Sequence, residues 1–234
     1  MKVIAIIPSA GKGKRMDHAT PKHFIQLEDR PVLAYTLEAF EKCPDVNHIL
    51  LVVRKGEEEY CLHEVVERYG FKKVLRIVIG GERRQDSVYH ALNVLDEDTD
   101  IVVVHDGVRP FVHPELISES IRQAMTADGA VAAVPVKDTL KEVTPDRFIK
   151  GTPKRESLWQ AQTPQTFKKS IIEEAFIRAY NDNYYGTDES SLIERMGKKV
   201  KIIEGSYENI KITTKEDLIH GEFLLRLRKR QEPG

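Results

Sequence analysis

The sequence predicts an α/β fold: a doubly wound, mostly parallel sheet with a protruding β-hairpin arm. Three observations predict it. Short Val- and Ile-rich runs recur along the 234 residues, and helix-period segments lie between them. One stretch, 137–158, has neither a helical period nor a buried apolar run.

The strand candidates in chain order are Val3–Ile7, Ile49–Val53, Val74–Ile79, Ile101–His105, Val131–Val136 and Val200–Ile203. They do not alternate apolar with polar residues, which suits strands covered on both faces of a parallel sheet. Val88, Ala91, Leu92 and Leu95 form one helix face; Ile171, Ile172, Ala175, Phe176 and Ala179 form another. Alternating strands and helices imply right-handed crossovers. In the exceptional stretch, Thr139–Val143 and Phe148–Gly151 flank Thr144-Pro145-Asp146-Arg147, a hairpin around a Pro-Asp turn. A lone two-stranded ribbon is marginal in water. The arm is therefore expected to pack on a partner subunit, making a homodimer, or to fold back on its own domain. The length suits a single domain, 1–234, with 137–158 as an insertion.

Composition removes several function classes. Lys and Arg number 36 against 37 Asp and Glu, a formal net charge of -1. No broad nucleic-acid surface is expected from that balance. Arg226, Arg228, Lys229 and Arg230 read as the last turns of a helix, where cations suit the dipole. Cys43 and Cys61 form no C-x-x-C pair, so neither a disulfide framework nor a zinc site is indicated. The opening apolar run stops at Pro8, too short for a secretion signal, and no run approaches a membrane span. A cytoplasmic location without membrane contact is the expectation.

After the first strand comes Pro8-Ser9-Ala10-Gly11-Lys12-Gly13-Lys14-Arg15-Met16. Gly11 and Gly13 let the backbone approach a ligand, so that N–H groups face phosphate oxygens. Lys12, Lys14, Arg15 and, after Pro21, Lys22 supply cations for a polyphosphate. The glycine spacing fits neither a P-loop nor, with Met16 in place of a third glycine, a dinucleotide fingerprint. Taken alone, the loop is equally a tight turn with solvated lysines.

Ligands of open α/β sheets bind beyond the carboxyl ends of the strands. Other strand ends carry Gly80-Gly81-Glu82-Arg83-Arg84-Gln85-Asp86-Ser87, His105-Asp106-Gly107-Val108-Arg109-Pro110 and Lys137-Asp138-Thr139. Glycine, charge or hydroxyl at successive strand ends favours a ligand site over structural turns. Asp106 is the candidate Mg²⁺ ligand, since that ion takes one or two carboxylates plus substrate phosphates. It also suits an ordinary turn aspartate. The Gly80–Ser87 loop offers amides and a hydroxyl to the edge of a base, or a helix cap at Asp86 or Ser87.

These motifs, with Pro21-Lys22, Pro135-Val136, Trp159, Gln162-Thr163-Pro164-Gln165, Thr187-Asp188-Glu189 and Asn209-Ile210-Lys211, run in order over nearly the whole chain. Together they resemble the 2-C-methyl-D-erythritol 4-phosphate cytidylyltransferases. The resemblance implies a Rossmann-like nucleotidyltransferase fold and the joining of CTP to a sugar-alcohol phosphate, methylerythritol 4-phosphate, in non-mevalonate isoprenoid synthesis. It implies Arg15, Lys22 and Lys211 as catalytic cations. Ser9, Ala10, Gly11, Gly13, Gly81, Glu82 and Ser87 would hold the nucleotide. Asp106, Arg109, Thr139, Arg155, Thr187 and Lys211 would bind the second substrate, with Mg²⁺ on Asp106. Thr139 and Arg155 lie on the arm that, in the family, completes a neighbouring subunit's site. Ser9 and Val108 stand where the family commonly has alanine, and His23 where glutamine is common.

A ribitol-5-phosphate cytidylyltransferase is the alternative with the same loops. A nicotinamide dehydrogenase would need an acid after the second strand, where Arg54 and Lys55 stand. A silent nucleotide-binding protein would not need Asp106 with a cationic loop.

Overall fold

The computed structural model describes residues 1–11 and 22–231. The chain opens with β1 (Val3–Pro8), a single 3-10 turn at Lys22–Phe24, and the small ribbon β2 (Gln26–Leu27) and β3 (Arg30–Pro31). There follow α1 (Val32–Lys42), β4 (His48–Val53), α2 (Glu58–Cys61, running on as a wider turn over Leu62–Glu67), β5 (Val74–Ile79) and α3 (Arg84–Leu92). Next come β6 (Ile101–Val104), α4 (Pro114–Thr126), β7 (Gly129–Pro135) and the hairpin β8 (Glu142–Val143) and β9 (Ile149–Gly151). The chain closes with β10 (Trp159–Lys168), α5 (Lys169–Asn181), α6 (Glu189–Arg195), β11 (Val200–Glu204) and α7 (Lys215–Gln231).

Seven strands form the main sheet in the order β11-β7-β10-β6-β1-β4-β5. All neighbours run parallel except β10, which is antiparallel to both β6 and β7. The apolar runs behave as double-faced strands. Val3, Ala5 and Ile7 of β1 pack under α1 and α4, while Ile4 and Ile6 pack toward α3 and α5 on the opposite face. Such strands bury nearly every side chain, which explains why their sequences are continuously apolar. Val88, Ala91 and Leu92 are buried from α3, as the helical period requires.

The strand that the sequence analysis missed is β10, at the middle of the sheet. Gln162, Thr163, Gln165 and Thr166 are buried in it, and Pro164 interrupts it where its register with β7 shifts. A polar strand can occupy a core only where each group finds a partner. Here Gln162 Nε2 donates to the Ser206 carbonyl at 2.8 Å and Gln165 Nε2 to Asp188 Oδ2 at 2.8 Å, and the hydroxyls of Thr166 and Ser120 lie 2.7 Å apart. Hydropathy gives no warning of a strand whose burial depends on such long-range pairs. The second difference is the cap of α3. The helix begins at Arg84, Arg83 is its cap residue, and the Arg83 N–H donates to Asp86 Oδ2 at 3.0 Å.

Within 137–158 the hairpin forms as a separate two-stranded sheet, with Arg147 at a φ of 69° in its turn. No helix among the described residues is long and apolar enough to cross a membrane. Cys43 and Cys61 are both buried and free, and burial pushes the Cys61 thiol up to about 12.

Gly129, where β7 begins, lies against β10. A Cβ there would stand 2.3 Å from the Phe167 ring. Gly129→Ala is expected to lower stability by about 1–3 kcal/mol, the usual cost of overpacking. Urea unfolding measures it, and an unchanged midpoint contradicts this packing.

Candidate active site

The carboxyl ends of β1, β4, β5 and β6 open on one cleft of about 760 Å³. Its floor is the β1 loop, where Ser9 N–H donates to the Val52 carbonyl at 2.7 Å and holds the loop to β4. Gly80 makes a close approach possible: a Cβ on it would stand 2.5 Å from Ala10 Cβ. Ser9, Ala10 and Gly11 line one wall, and Gly81, Glu82 and Ser87 the other. The Ser87 hydroxyl is already engaged. It donates to the Arg83 carbonyl at 3.1 Å and accepts from the Gly81 N–H at 3.1 Å, so it shapes the loop that faces the cleft. Arg54 and Lys55, after β4, add cations to the lining.

Asp106 stands at the end of β6 and is 6% exposed. Arg84 Nε donates to its Oδ1 at 3.0 Å. On the other oxygen, Lys211 Nζ lies 2.6 Å away and Arg109 Nε 3.6 Å. Arg84 also pairs with Glu189, NH1 to Oε1 at 2.5 Å. Three cations thus face two carboxylates, which leaves one net positive charge at the cleft wall. Burial by itself would raise the Asp106 carboxyl, but Arg84, Lys211 and Arg109 outweigh it and hold the group well below the usual carboxylate range. Burial would also lower the Arg84 guanidinium, but Glu189 and Asp106 push it above its ordinary value. At Arg109 burial prevails, and its value falls.

A polar layer beneath holds this cluster in place. The Asp106 N–H donates to Thr163 Oγ1 at 3.1 Å, in the irregular part of β10. His105 is fully buried, and burial lowers it to about 3, so the ring is neutral at ordinary pH. Its Nε2–H donates to the Arg109 carbonyl at 3.2 Å, which leaves Nδ1 to accept from the Thr163 hydroxyl at 3.0 Å. Asn209 Nδ2 donates to the Thr163 carbonyl at 2.8 Å, and the Asn209 carbonyl accepts from Arg109 NH1 at 2.7 Å. The segment that carries Lys211 is thereby fastened to β10 and to the β6 loop.

The donor set does not fit a metal held by protein side chains. Both Asp106 oxygens are engaged by cations. The sequence-based assignment of Mg²⁺ to Asp106 does not agree with this arrangement, because a dication there would crowd three like charges.

Ser9, Ala10, Gly11, Gly81, Glu82, Ser87, Asp106 and Lys211 meet at the cleft, with Arg109 behind Asp106. Thr139, Arg155 and Thr187 are exposed and are not among the lining residues; Arg155 NH1 donates to the Lys137 carbonyl at 2.9 Å on the arm. Gly13 and Arg15 lie outside the described residues, as does the side chain of Lys22. Sequence reasoning assigned no role to Arg84, Glu189, Thr163 or Asn209. All four stand in the motifs quoted above, but nothing in their spacing marks them as partners of Asp106.

The profile of the family described as IspD, 2-C-methyl-D-erythritol 4-phosphate cytidylyltransferase, matches residues 3–227. The chain belongs to this family. A 2-C-methyl-D-erythritol 4-phosphate cytidylyltransferase of Alkaliphilus metalliredigens is 46% identical over 97% of this chain and 95% of its own. A solved 4-diphosphocytidyl-2C-methyl-D-erythritol synthase from Anaerococcus prevotii superposes with a TM-score of 0.86 at 34% identity, covering 96% of each chain. A family structure from Thermus thermophilus superposes at 0.79 with 30% identity over 97% of this chain and 100% of that one. The architecture is that of these family members, with a mostly parallel α/β sheet and a separate hairpin.

Asn209→Ala would remove the side-chain amide that donates to the Thr163 carbonyl and to Gln162 Oε1, while the backbone carbonyl that accepts from Arg109 stays. A loss of about 1–3 kcal/mol in urea unfolding is expected, as for a buried polar group deprived of its partner. Wild-type stability in that variant contradicts the network.

Proposed function

We propose that this chain joins CTP to 2-C-methyl-D-erythritol 4-phosphate, giving 4-diphosphocytidyl-2-C-methyl-D-erythritol and pyrophosphate. Family membership over residues 3–227 supports the activity. The observation that carries the chemistry is the cation cluster around Asp106 at the mouth of a nucleotide-sized cleft. The ribitol 5-phosphate alternative is not favoured by the relatives found.

The nucleophile is the substrate's own phosphate oxygen, ionised at neutral pH, so no general base is required. That oxygen forms a bond to the α-phosphorus of CTP as the bond from this phosphorus to the bridging oxygen of the β-phosphate breaks. Pyrophosphate leaves with the electron pair. What remains for the protein is to bring two anions together and stabilise charge on the transferring phosphorus. Lys211 carries an ammonium to the cleft, and Asp106, with Arg84 and Arg109, sets where it stands. Arg15 and Lys22 are proposed to hold the triphosphate.

Ser9, Ala10, Gly11, Gly13, Gly81, Glu82 and Ser87 are proposed to enclose the nucleotide, chiefly through backbone groups. Arg109 and Thr187 are proposed for the second substrate, with Asp106 acting through the cations it holds. The family is consistent with a divalent cation requirement. With Asp106 saturated, Mg²⁺ would be carried on phosphate oxygens rather than on a protein carboxylate. A cytoplasmic location agrees with the substrates.

The chain is proposed to fold as one domain with 137–158 as its arm, and to act as a homodimer. Phe148 and Ile149 are 70% and 65% exposed on the hairpin, and Val143 is 52% exposed. Apolar groups on a marginal ribbon favour a cover, and Thr139 and Arg155 on the same arm would then face a neighbouring subunit's cleft. Phe148→Lys with Ile149→Lys is expected to yield a monomer in sedimentation equilibrium. An unchanged oligomeric state in that double variant removes the arm from the interface.

Pyrophosphate release from CTP with each alcohol phosphate tests the reaction, and turnover with ribitol 5-phosphate alone would overturn it. Lys211→Ala is expected to reduce kcat by about 100- to 1,000-fold with the fold intact. Near-normal turnover would deny Lys211 its part in the transfer.

A further inference from the structure

We propose that Glu189 is a positioning residue for the transfer step, acting through Arg84 on Asp106 and so on the place of the Lys211 ammonium. The inference rests on the cytidylyl-transfer reading of this cleft. Glu189 itself cannot touch a substrate. Its side chain is 2% exposed, and it is not among the residues that line the cleft. Arg84, in contrast, does line it.

The connection is continuous. Glu189 Oε1 meets Arg84 NH1 at 2.5 Å, Arg84 Nε meets Asp106 Oδ1 at 3.0 Å, and Asp106 Oδ2 meets Lys211 Nζ at 2.6 Å. The outer end of this relay is anchored. Glu189 opens α6, whose cap residue Asp188 accepts from the Ser191 N–H at 3.0 Å and from Gln165 Nε2 at 2.8 Å. The Ser190 N–H donates to Gln165 Oε1 at 3.0 Å, which ties the same turn to β10. Glu189 is therefore presented from the central strand that also holds Asp106 through Thr163.

The simpler reading makes Glu189 an acid that favours the first turn of α6. An exposed carboxylate would serve that purpose. Glu189 instead is buried, with Oε2 lacking a hydrogen-bond partner among the described residues and Oε1 committed to Arg84. Leaving an anionic oxygen unsatisfied is expensive, and a role confined to starting a helix does not require it. Pairing Arg84 from behind does two things. It offsets the charge of a guanidinium that would otherwise swing toward anionic ligands, and it fixes the donor on Asp106 Oδ1. Asp106 then keeps the orientation that presents Oδ2 to Lys211.

The test is a double-mutant cycle of Glu189→Gln and Asp106→Asn, read by pyrophosphate release and, separately, by urea unfolding. Glu189→Gln is expected to lower kcat by roughly 10- to 100-fold, the range for partners one contact removed from a functional group. KM for CTP should stay within about twofold, with kcat normalised to the folded fraction that circular dichroism gives at the assay temperature. Glu189→Asp should recover part of the rate. The double variant should lose less than the product of the single losses, by at least about threefold, because the two residues act through one guanidinium. Multiplicative losses, or a normal kcat in Glu189→Gln, overturn the proposal. The unfolding cycle reports the same linkage without turnover, and additive stabilities there also overturn it. An inactive wild-type enzyme with a coupled unfolding cycle would instead overturn the transfer reading. Should Glu189→Gln fail to fold, Glu189→Asp replaces it in both cycles, with a smaller loss of kcat and the same non-multiplicative combination with Asp106→Asn expected.

Discussion

One buried carboxylate, Asp106, organises the functional end of this molecule. Removing its charge from water would be costly without the guanidinium of Arg84 and the ammonium of Lys211 within hydrogen-bond distance. The cations depend on it in turn. Arg84 and Arg109 come from elements that would repel each other without a shared anion between them. Cations gathered in this way face a cleft that suits anionic reactants. The geometry of the cluster follows from charge balance rather than from any single residue.

Placing that carboxylate requires the sheet. The end of β6 delivers Asp106, the loop after β5 delivers Arg84, and the segment before α7 delivers Lys211. The antiparallel β10 runs through the middle and fastens these pieces from below. Thr163 supports both Asp106 and His105, and Asn209 ties the Lys211 segment to the same strand. Polar residues in a central strand are tolerated because they find partners. Those partners belong to the site, so strand and site are one polar network.

The cleft walls follow a different rule. They are mostly backbone and small side chains, with Gly80 packed against Ala10 and Ser87 folded onto its own loop. Such walls suit recognition by N–H and carbonyl groups, whose direction the fold sets. The cations then need not distinguish one base from another. The arm adds a third feature, since its Phe148 and Ile149 stand exposed among the described residues.

Much of this was legible in the residues. Continuous Val/Ile runs reveal strands covered on both faces, because burial on both faces leaves no polar position to alternate with. Strand-end motifs located Ser9, Gly81, Asp106 and the rim of the cleft, because a parallel sheet sends its carboxyl ends to one side. The motifs in order also identified the family. The tertiary structure alone decided the rest. It made β10 a strand, turned Asp106 from a candidate metal ligand into the anion of a cation cluster, and joined Glu189 to Arg84 across 105 positions. The reason is physical. Periodicity records whether a side chain faces water or apolar core, but a buried charge is stabilised by whichever partner the fold brings beside it, and that partner leaves no trace in the local sequence.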